Sequence, residues 1–334
     1  MLLHQDPRSV FFLGMGTGIT AGASLSFPVE RVVVCELLPE VVSLAEDHFE
    51  RWNNGLFNDS RATVHAEDGR NCLSRSSDQY DLIISDLFTP WKAGTGNLYT
   101  LEHFRTAGDR LEPGGLFVQW IPLYQVSEQE FGIIARTMDE AFEQVTMWRG
   151  DFFRSRSIVA LVGSNSAEPL GPAALLAQSQ PLENTEGNST KAVESMLLRL
   201  YAGNVTESGL FSAYELNTDN HPYIEYLAPR THRDVRTGAA SFLVGEHRDN
   251  LYTELLASVP PQDDPFLAKL SPAQHQHVLA GWHRSRYAMH LDHGRRDAAD
   301  HHYNAFQAHS APESTNMLTP SGALLPDTPG RQAP

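Results

Sequence analysis

The sequence predicts an α/β chain: a doubly wound, mostly parallel sheet of seven strands, followed by a mostly helical and irregular C-terminal extension. Three observations carry this. Short apolar runs alternate with helical patterns from Ser9 to Gly163. Several runs are apolar on both faces, as strands are when helices cover both sides of a sheet. The first run enters a glycine-rich turn, as the first βα unit of such sheets does.

The strands are expected at Val10–Leu13, Val32–Glu36, Ala62–His65, Leu82–Asp86, Leu116–Trp120, Val145–Trp148 and Ile158–Val162. Helices fall between them. Pro39–Trp52 repeats apolar residues at Val41, Val42, Ala45, Phe49 and Trp52, a helical stripe, and Pro39 suits a first-turn position. Leu98–Leu111 ends at Glu112-Pro113-Gly114-Gly115, a helix stop and turn. Ser127-Glu128-Gln129-Glu130 has the form of a capping box opening Glu128–Phe142.

The character changes after Ser164. Residues 1–164 are expected to form the ligand-binding domain, 165–304 a partly helical extension and 305–334 a disordered tail. Within the extension, residues 165–190 are rich in Pro, Ala, Ser and Asn and have the composition of a linker. Helices are expected at Thr190–Tyr201, Leu251–Ala257 and Pro272–His290. The string Asn217-Thr218-Asp219-Asn220-His221-Pro222-Tyr223-Ile224-Glu225-Tyr226 reads as a turn leading into an extended segment.

Composition narrows the function. The chain has 334 residues, 41% of them hydrophobic, enough for a sizeable core. Its net charge of −16 argues against a nucleic-acid partner, because phosphate contacts need clustered Lys and Arg. The acidity is not a tail: up to Gly163 there are 22 acids against 13 bases. There is no apolar run of 18 residues and no basic start before an apolar stretch, so neither a membrane span nor a signal peptide is expected. Cys35 and Cys72 are the only cysteines, which excludes a disulfide scaffold and fits a reducing, cytoplasmic compartment. Cys35, inside an apolar strand, reads as a small buried hydrophobe.

The glycine turn indicates the ligand class. Gly14, Gly16 and Gly18 follow the first strand, and Glu36 ends the second, 18 residues after the last glycine. Glycines let a backbone pass close to a ligand, and an acid at a strand tip can accept both hydroxyls of a ribose. A dinucleotide fingerprint would place its third glycine at position 19, which is Ile19. The G-x-G-x-G spacing is commoner where an adenosyl sulfonium binds, so a hydride-transferring dehydrogenase is disfavoured. Asp68, just before Gly69, follows the third strand, where a carboxylate can accept from an exocyclic adenine amine or cap a helix. Asp86 ends the apolar Leu82–Ser85 run, where an unpartnered charge is costly, and its place suits an acid that orients an amine and takes its proton. Asp81 lies at the far end of that strand and reads as structural. Eight of the 15 histidines lie between His275 and His309, but neither Cys nor acid completes a closed-site spacing, so no metal site is expected.

Together these residues resemble the polyamine aminopropyltransferase (spermidine synthase-like) family, on a Rossmann-like, class I methyltransferase fold. The resemblance covers roughly residues 3–163. It implies that Gly14, Gly16, Gly18, Glu36, Asp68 and Gly69 hold the adenosyl ligand and that Asp86 is the catalytic acid opening the family's D-x-x-D-P segment. Leu98-Tyr99-Thr100-Leu101-Glu102-His103-Phe104 and Gly115-Leu116-Phe117-Val118-Gln119 resemble the stretches after the active-site loop. Thr89, Tyr99 and Gln119 are thereby implied on the acceptor side. In that family decarboxylated S-adenosylmethionine donates an aminopropyl group to an amine such as putrescine, and methylthioadenosine leaves. Dimers are implied as well. The string from Asn217 to Pro229 resembles a C-terminal segment of bacterial members in which such a domain follows a multi-span membrane region.

Three departures concern the acceptor. Asp86-Leu87-Phe88-Thr89-Pro90 has Thr89 where the family has a second acid. Lys92 follows, and a lysine there would repel a polyamine. The chain opens almost at the first strand, so the family's N-terminal β-hairpin domain is expected to be missing. Two other readings use the same glycines and acids: a methyltransferase acting with S-adenosylmethionine, and a non-catalytic adenosyl-ligand sensor or scaffold.

Overall fold

The structure, a computed structural model, describes residues 1–150, 156–171 and 190–310. Its described sheet has eight strands: β1 (Ser9–Leu13), β2 (Arg31–Glu36), β3 (Ala62–Ala66), β4 (Tyr80–Ser85), β5 (Leu111–Pro122), β6 (Gln144–Gly150), β7 (Ile158–Ser164) and β8 (Tyr201–Asn204). Their order is β3-β2-β1-β4-β5-β7-β6-β8. The first five run parallel, and β7, β6 and β8 are paired antiparallel to their neighbours. The chain reverses direction across the sheet between β1 and β4, the switch point at which open α/β sheets form a crevice at their carboxyl edge.

The helices between the strands are α1 (Ile19–Ser24), α2 (Pro39–Phe49), α3 (Gly69–Arg75), α4 (Leu101–Asp109) and α5 (Glu128–Ala141), of which α2, α4 and α5 lie close to their sequence-based positions. The expected capping box is present in both directions: Ser127 Oγ accepts from Glu130 N, and Glu130 Oε2 accepts from Ser127 N at 2.6 Å. The two faces of the sheet are packed by different parts of the chain. Phe11, Leu13, Ile83 and Phe117 pack with α4 and α5 through Phe104, Phe131 and Met138. Val10, Phe12, Val32, Val34 and Leu82 form the opposite layer with Ala21 and Ala45.

The extension adds α6 (Thr190–Leu198), α7 (Val205–Ser208), α8 (Tyr223–Arg236), α9 (Gly245–Ser258), α10 (Pro272–Asp292) and α11 (Arg296–His309). It also adds the eighth strand, β8, which sequence reading folded into the end of a helix. β8 closes the edge of β6, with Met147 opposite Gly203. Asp264, almost wholly buried, fastens it: Tyr201 Oη donates to one carboxylate oxygen at 2.5 Å and Asn204 Nδ2 to the other at 2.9 Å. Leu197, Leu198, Leu256, Leu267 and Val278 cover the sheet beside Trp148, Ala160 and Val162. Arg149 reaches from β6 to the carbonyls of Gly281 and Arg199, so its buried guanidinium ties α10 to the sheet. The extension therefore shares its core with the sheet.

Three expectations are corrected. The extended segment expected after Asn217 is instead the helix α8, in which Ile224 and Ala228 are buried one turn apart. Pro229 discouraged that reading, since proline removes a helix hydrogen bond. The helix accommodates it in its second turn. The histidine-rich stretch, read as partly unordered, is a helix pair in which Ala299, His302 and Phe306 of α11 are buried. Disorder was expected from about residue 305, yet α11 runs to His309; the rest of that expectation, and most of the linker expected at 165–190, lies outside the described residues. Third, Cys35 is bonded to Cys72 in a disulfide. The pairing was hidden by 37 residues of separation, but β2 and α3 are spatial neighbours, with the two Cα atoms 6.6 Å apart.

Candidate active site

The first βα turn carries Gly14, Gly16 and Gly18 with φ of 81°, 55° and 77°. All three lie in the left-handed region that side chains other than glycine's rarely enter. Gly16 is also bare: a Cβ added there would meet nothing within 4 Å. Gly14 is crowded, and its added Cβ would lie 3.1 Å from the Phe88 ring and 3.6 Å from Asp86 Cβ. The glycine turn thus has one open face and one face closed by the segment after β4.

Glu36 organises this turn. Its Oε2 accepts from Met15 N at 3.0 Å and Gly16 N at 3.3 Å, and its Oε1 accepts from Leu38 N at 3.1 Å. A carboxylate has about four lone-pair sites, so Glu36 keeps capacity for a ligand hydroxyl. Asp68 is the N-cap of α3, accepting from Asn71 N at 2.9 Å with Oδ1. Its capping and ligand-binding readings are compatible, because the cap uses one oxygen. Gly69 lies under Leu13, whose Cα would be 3.4 Å from an added Cβ. Gly14, Gly16, Gly18, Glu36, Asp68 and Gly69 therefore share one end of the sheet. Its charge, shape and hydrogen-bonding groups fit a nucleoside: bare glycine backbone for close approach and two acids for hydroxyl and amine donors.

Asp86 follows β4 at the same edge. Its backbone N–H donates to Leu13 O at 3.0 Å, and its Oδ1 accepts from Leu87 N at 2.8 Å. Burial pushes its carboxyl above the usual carboxylate range; the Leu87 bond opposes this, and the negative charge of Glu36 adds to it. Such a group binds a proton more readily than a solvated carboxylate, as a proton acceptor for an amine requires. Asp81, at the opposite end of β4, accepts from Arg8 N, Ser9 N and Ser9 Oγ and so pins the chain start to the sheet. A cavity of about 570 Å³ lies at that far edge, lined by Arg8, Glu30, Arg31 and Asp81 among others. Arg8 is paired there with Asp6 and Glu30, and Arg31 with Asp78.

The acceptor-side residues are less uniform. Thr89 is half-buried, and its carbonyl accepts from Lys92 N at 3.1 Å, closing a turn. Tyr99 and Gln119 are fully buried. Among the described residues, Tyr99 Oη, Gln119 Oε1 and Ser85 Oγ have no hydrogen-bond partner. Ser85 and Gln119 face each other in the β4–β5 register, so the carboxyl edge holds an unusual polar pair in an otherwise apolar layer. Lys92 is exposed.

Several residues that shape this region were missed by sequence reading. Arg70 Nη2 donates to Asp219 at 2.6 Å and Arg70 Nη1 to Asn97 O at 3.2 Å. The Trp91 ring stacks on His232 at 4.2 Å. Asn217 and Glu225 hold the loop before α4. The one signal for them was the string Asn217–Tyr226 itself, a dense polar run followed by Glu225. Among the described residues, no group of three His, Cys, Asp or Glu could hold a metal ion. No described helix is long and apolar enough to cross a membrane.

A bare glycine turn, a ribose-type acid and a half-buried Asp86 at one carboxyl edge are the arrangement expected of an adenosyl-dependent transferase. Comparison with known proteins finds relatives for the same part of the chain. Residues 1–148 match the spermine/spermidine synthase domain. Over 152 residues the chain is 36% identical to polyamine aminopropyltransferase 2 of Pseudomonas aeruginosa, covering 45% of this chain and 44% of that protein. It is 36% identical over 149 residues to the polyamine aminopropyltransferase of Aeropyrum pernix, covering 43% of this chain and 47% of the relative. The chain thus spans about half the length of the curated relatives it matches. Among solved structures, spermidine synthase from Thermotoga maritima superposes at a TM-score of 0.43 with 23% identity, over 49% of this chain and 56% of that one. Human methyltransferase-like protein 13 in complex with SAH gives a TM-score of 0.42 at 20% identity, over 56% of this chain and 86% of that one. The matched stretch contains every glycine and acid of the nucleoside end, together with Asp86, Thr89, Tyr99 and Gln119. It stops before β7 and the extension.

Proposed function

We propose that this chain is an aminopropyltransferase of the spermidine synthase type. It takes decarboxylated S-adenosylmethionine and an amine of the putrescine class and releases methylthioadenosine. The observation that carries the reading is Asp86: a proton-avid carboxyl against the glycine turn, one strand from Glu36. The adenosyl group lies along the turn, with its ribose hydroxyls donating to Glu36 and its adenine amine donating to Asp68. The acceptor's neutral amine attacks the carbon beside the sulfonium. A C–N bond forms, the C–S electron pair returns to sulfur, and methylthioadenosine leaves uncharged. The new ammonium gives its proton to Asp86. Tyr99, Gln119 and Thr89 line the acceptor side. The orphaned Tyr99 hydroxyl and Gln119 carbonyl support this, because buried polar atoms without partners are costly unless a ligand satisfies them.

One observation favours a second reading. Thr89 and the exposed Lys92 stand where a diamine's far ammonium would need an acid, which suits methyl transfer from S-adenosylmethionine to a different acceptor. Calorimetric titration with methylthioadenosine, S-adenosylmethionine and its decarboxylated form separates the two, followed by an amine panel with the ligand that binds. Preference for the decarboxylated form and release of methylthioadenosine support aminopropyl transfer. Preference for S-adenosylmethionine moves the assignment to methyl transfer. Binding without turnover leaves a ligand sensor.

A further inference from the structure

The loop from Asp86 to Tyr99 joins the proton acceptor to α4 and carries Thr89, Trp91 and Lys92. Its own hydrogen bonds are sparse. Lys92 N donates to Thr89 O and Thr95 N to Lys92 O, each at 3.1 Å, which makes two successive turns. Arg70 Nη1 and Thr100 Oγ1 donate to Asn97 O, and its other links to side chains outside the loop come from residues more than 100 positions away.

Glu225, in the first turn of α8, is the centre of that support. An acid in a helix's first turn ordinarily complements its own helix's N–H groups. Glu225 instead reaches across to the loop. Its Oε1 accepts from Gly94 N at 2.8 Å and its Oε2 from Gly96 N at 3.1 Å. Both glycines suit this approach. Gly94 has φ of 85°, and a Cβ on Gly96 would lie 2.7 Å from Glu225 N and 2.8 Å from its Oε2. Asn217, fully buried, holds the other side: its Nδ2 donates to Gly96 O at 3.2 Å and Tyr99 O at 3.0 Å. Asn217 Oδ1 accepts from Ile224 N at 3.1 Å, which couples this bridge to the start of α8. The Arg70–Asp219 pair and the Trp91–His232 stack fasten the two ends.

We propose that Glu225, backed by Asn217, is a positioning residue for the acceptor half of the site: it sets the course of the Asp86–Tyr99 loop from the C-terminal extension. The inference rests on the aminopropyl reading for its catalytic consequence, but the loop clamp itself is independent of which group is transferred. The matched spermine/spermidine synthase domain ends at residue 148, so the clamp lies outside it.

The test uses the full chain and a lysine-specific protease, since its only lysines are Lys92, Lys191 and Lys269. Cleavage at Lys92 reads the loop, and cleavage at Lys269, exposed in a turn of the extension, is the control for changes away from the loop. Glu225→Ala should speed the Lys92 cut by about tenfold or more, the effect of losing hydrogen bonds to a charged group. Glu225→Gln, which keeps one acceptor oxygen, should fall between that variant and wild type. Cleavage at Lys269 and affinity for methylthioadenosine should stay within about twofold of wild type, as expected for uncoupled sites. With an accepted amine, KM for the amine should rise by about tenfold while kcat changes less. Gly96→Ala, whose added Cβ would lie 2.7 Å from Glu225 N and so crowds the same clamp from the loop side, should reproduce the Lys92 effect if Glu225→Ala is too unstable to assay. Lys92 cleavage equal to wild type in both variants, or rising only in step with Lys269, overturns the proposal. Absence of aminopropyl turnover in wild type would sink the functional reading alone, because the protease result stands without it.

Discussion

The two halves of the candidate site are built in opposite ways. The nucleoside half is local. Gly14, Gly16, Gly18, Glu36 and Asp68 come from three consecutive strand ends within 55 residues of one another, and each is held by backbone groups of the same stretch. The acceptor half is assembled at long range. Its loop turns twice on its own and is then held by residues 217–232. A half made of adjacent strand ends needs little besides the sheet. A half made of a loop needs a second body to hold it, since a loop alone carries the conformational entropy of its own backbone. The difference explains why the glycines and acids could be recognised in a linear reading while Asn217 and Glu225 could not.

The largest effect should come from Asp86, where the halves meet. Asp86→Asn should cut turnover by about 10²–10⁴-fold, the usual contribution of a positioned proton acceptor. Affinity for methylthioadenosine should be nearly unchanged, because the nucleoside half does not depend on it. Normal turnover in a steady-state assay would reduce Asp86 to a cap for Leu87. In wild type, the acid limb of the rate profile should lie above the ordinary carboxylate range, since burial raises this group.

Next in size is the nucleoside half alone. Glu36→Ala should weaken methylthioadenosine binding by about 1–3 kcal/mol, the cost of unpairing charged hydrogen bonds. Calorimetry checks this. An unchanged dissociation constant would place the ligand elsewhere and remove the local half of the comparison.

A third test concerns the ground beneath the acceptor loop. His103 of α4 is fully buried, with neither ring nitrogen partnered among the described residues. Burial pushes it down to about 3, the nearby positive charge of Arg70 acting in the same direction and Asp219 against it. Its folded value lies below its unfolded one, so the stability it confers is present above about pH 6.5 and is lost as pH falls toward 3. Denaturant melts across that window should lose up to about 1.4 kcal/mol per pH unit from this group. His103→Phe should flatten that slope, and an equally steep acid loss in the variant would assign it to other groups.

The smallest expected effect is a stability gain. Asp86 has a raised folded value, so its contribution is intact below its unfolded value near 3.8 and is lost as pH rises through the folded one. Asp86→Asn should therefore melt slightly higher than wild type at pH 8 and alike at pH 3. A lower melting temperature at pH 8 would mean the carboxylate is a structural partner rather than a strained catalytic one.

Much of the fold was legible because it is written in short-range patterns. The two-sided apolar strands, the Ser127–Glu130 capping box and the glycine turn each depend on residues within a few positions of one another, so neighbouring chemistry alone pointed to seven strands and to α2, α4 and α5 between them. The misreadings share a cause. β8 is four residues long and is a strand only because β6 offers it an edge and Asp264 holds its side chains. α8 begins just after Pro222 and contains Pro229, a composition that local propensity scores as broken, and it forms because Ile224 and Ala228 have a core to enter. Cys35 and Cys72 meet because β2 and α3 do. Sequence by itself determined the sheet and its crevice and suggested the ligand class proposed for it, because period and spacing are properties of the chain. Only tertiary structure decided that a C-terminal helix clamps the loop after Asp86, because that contact exists only once the extension has packed against the sheet and brought residues 94 and 225 together.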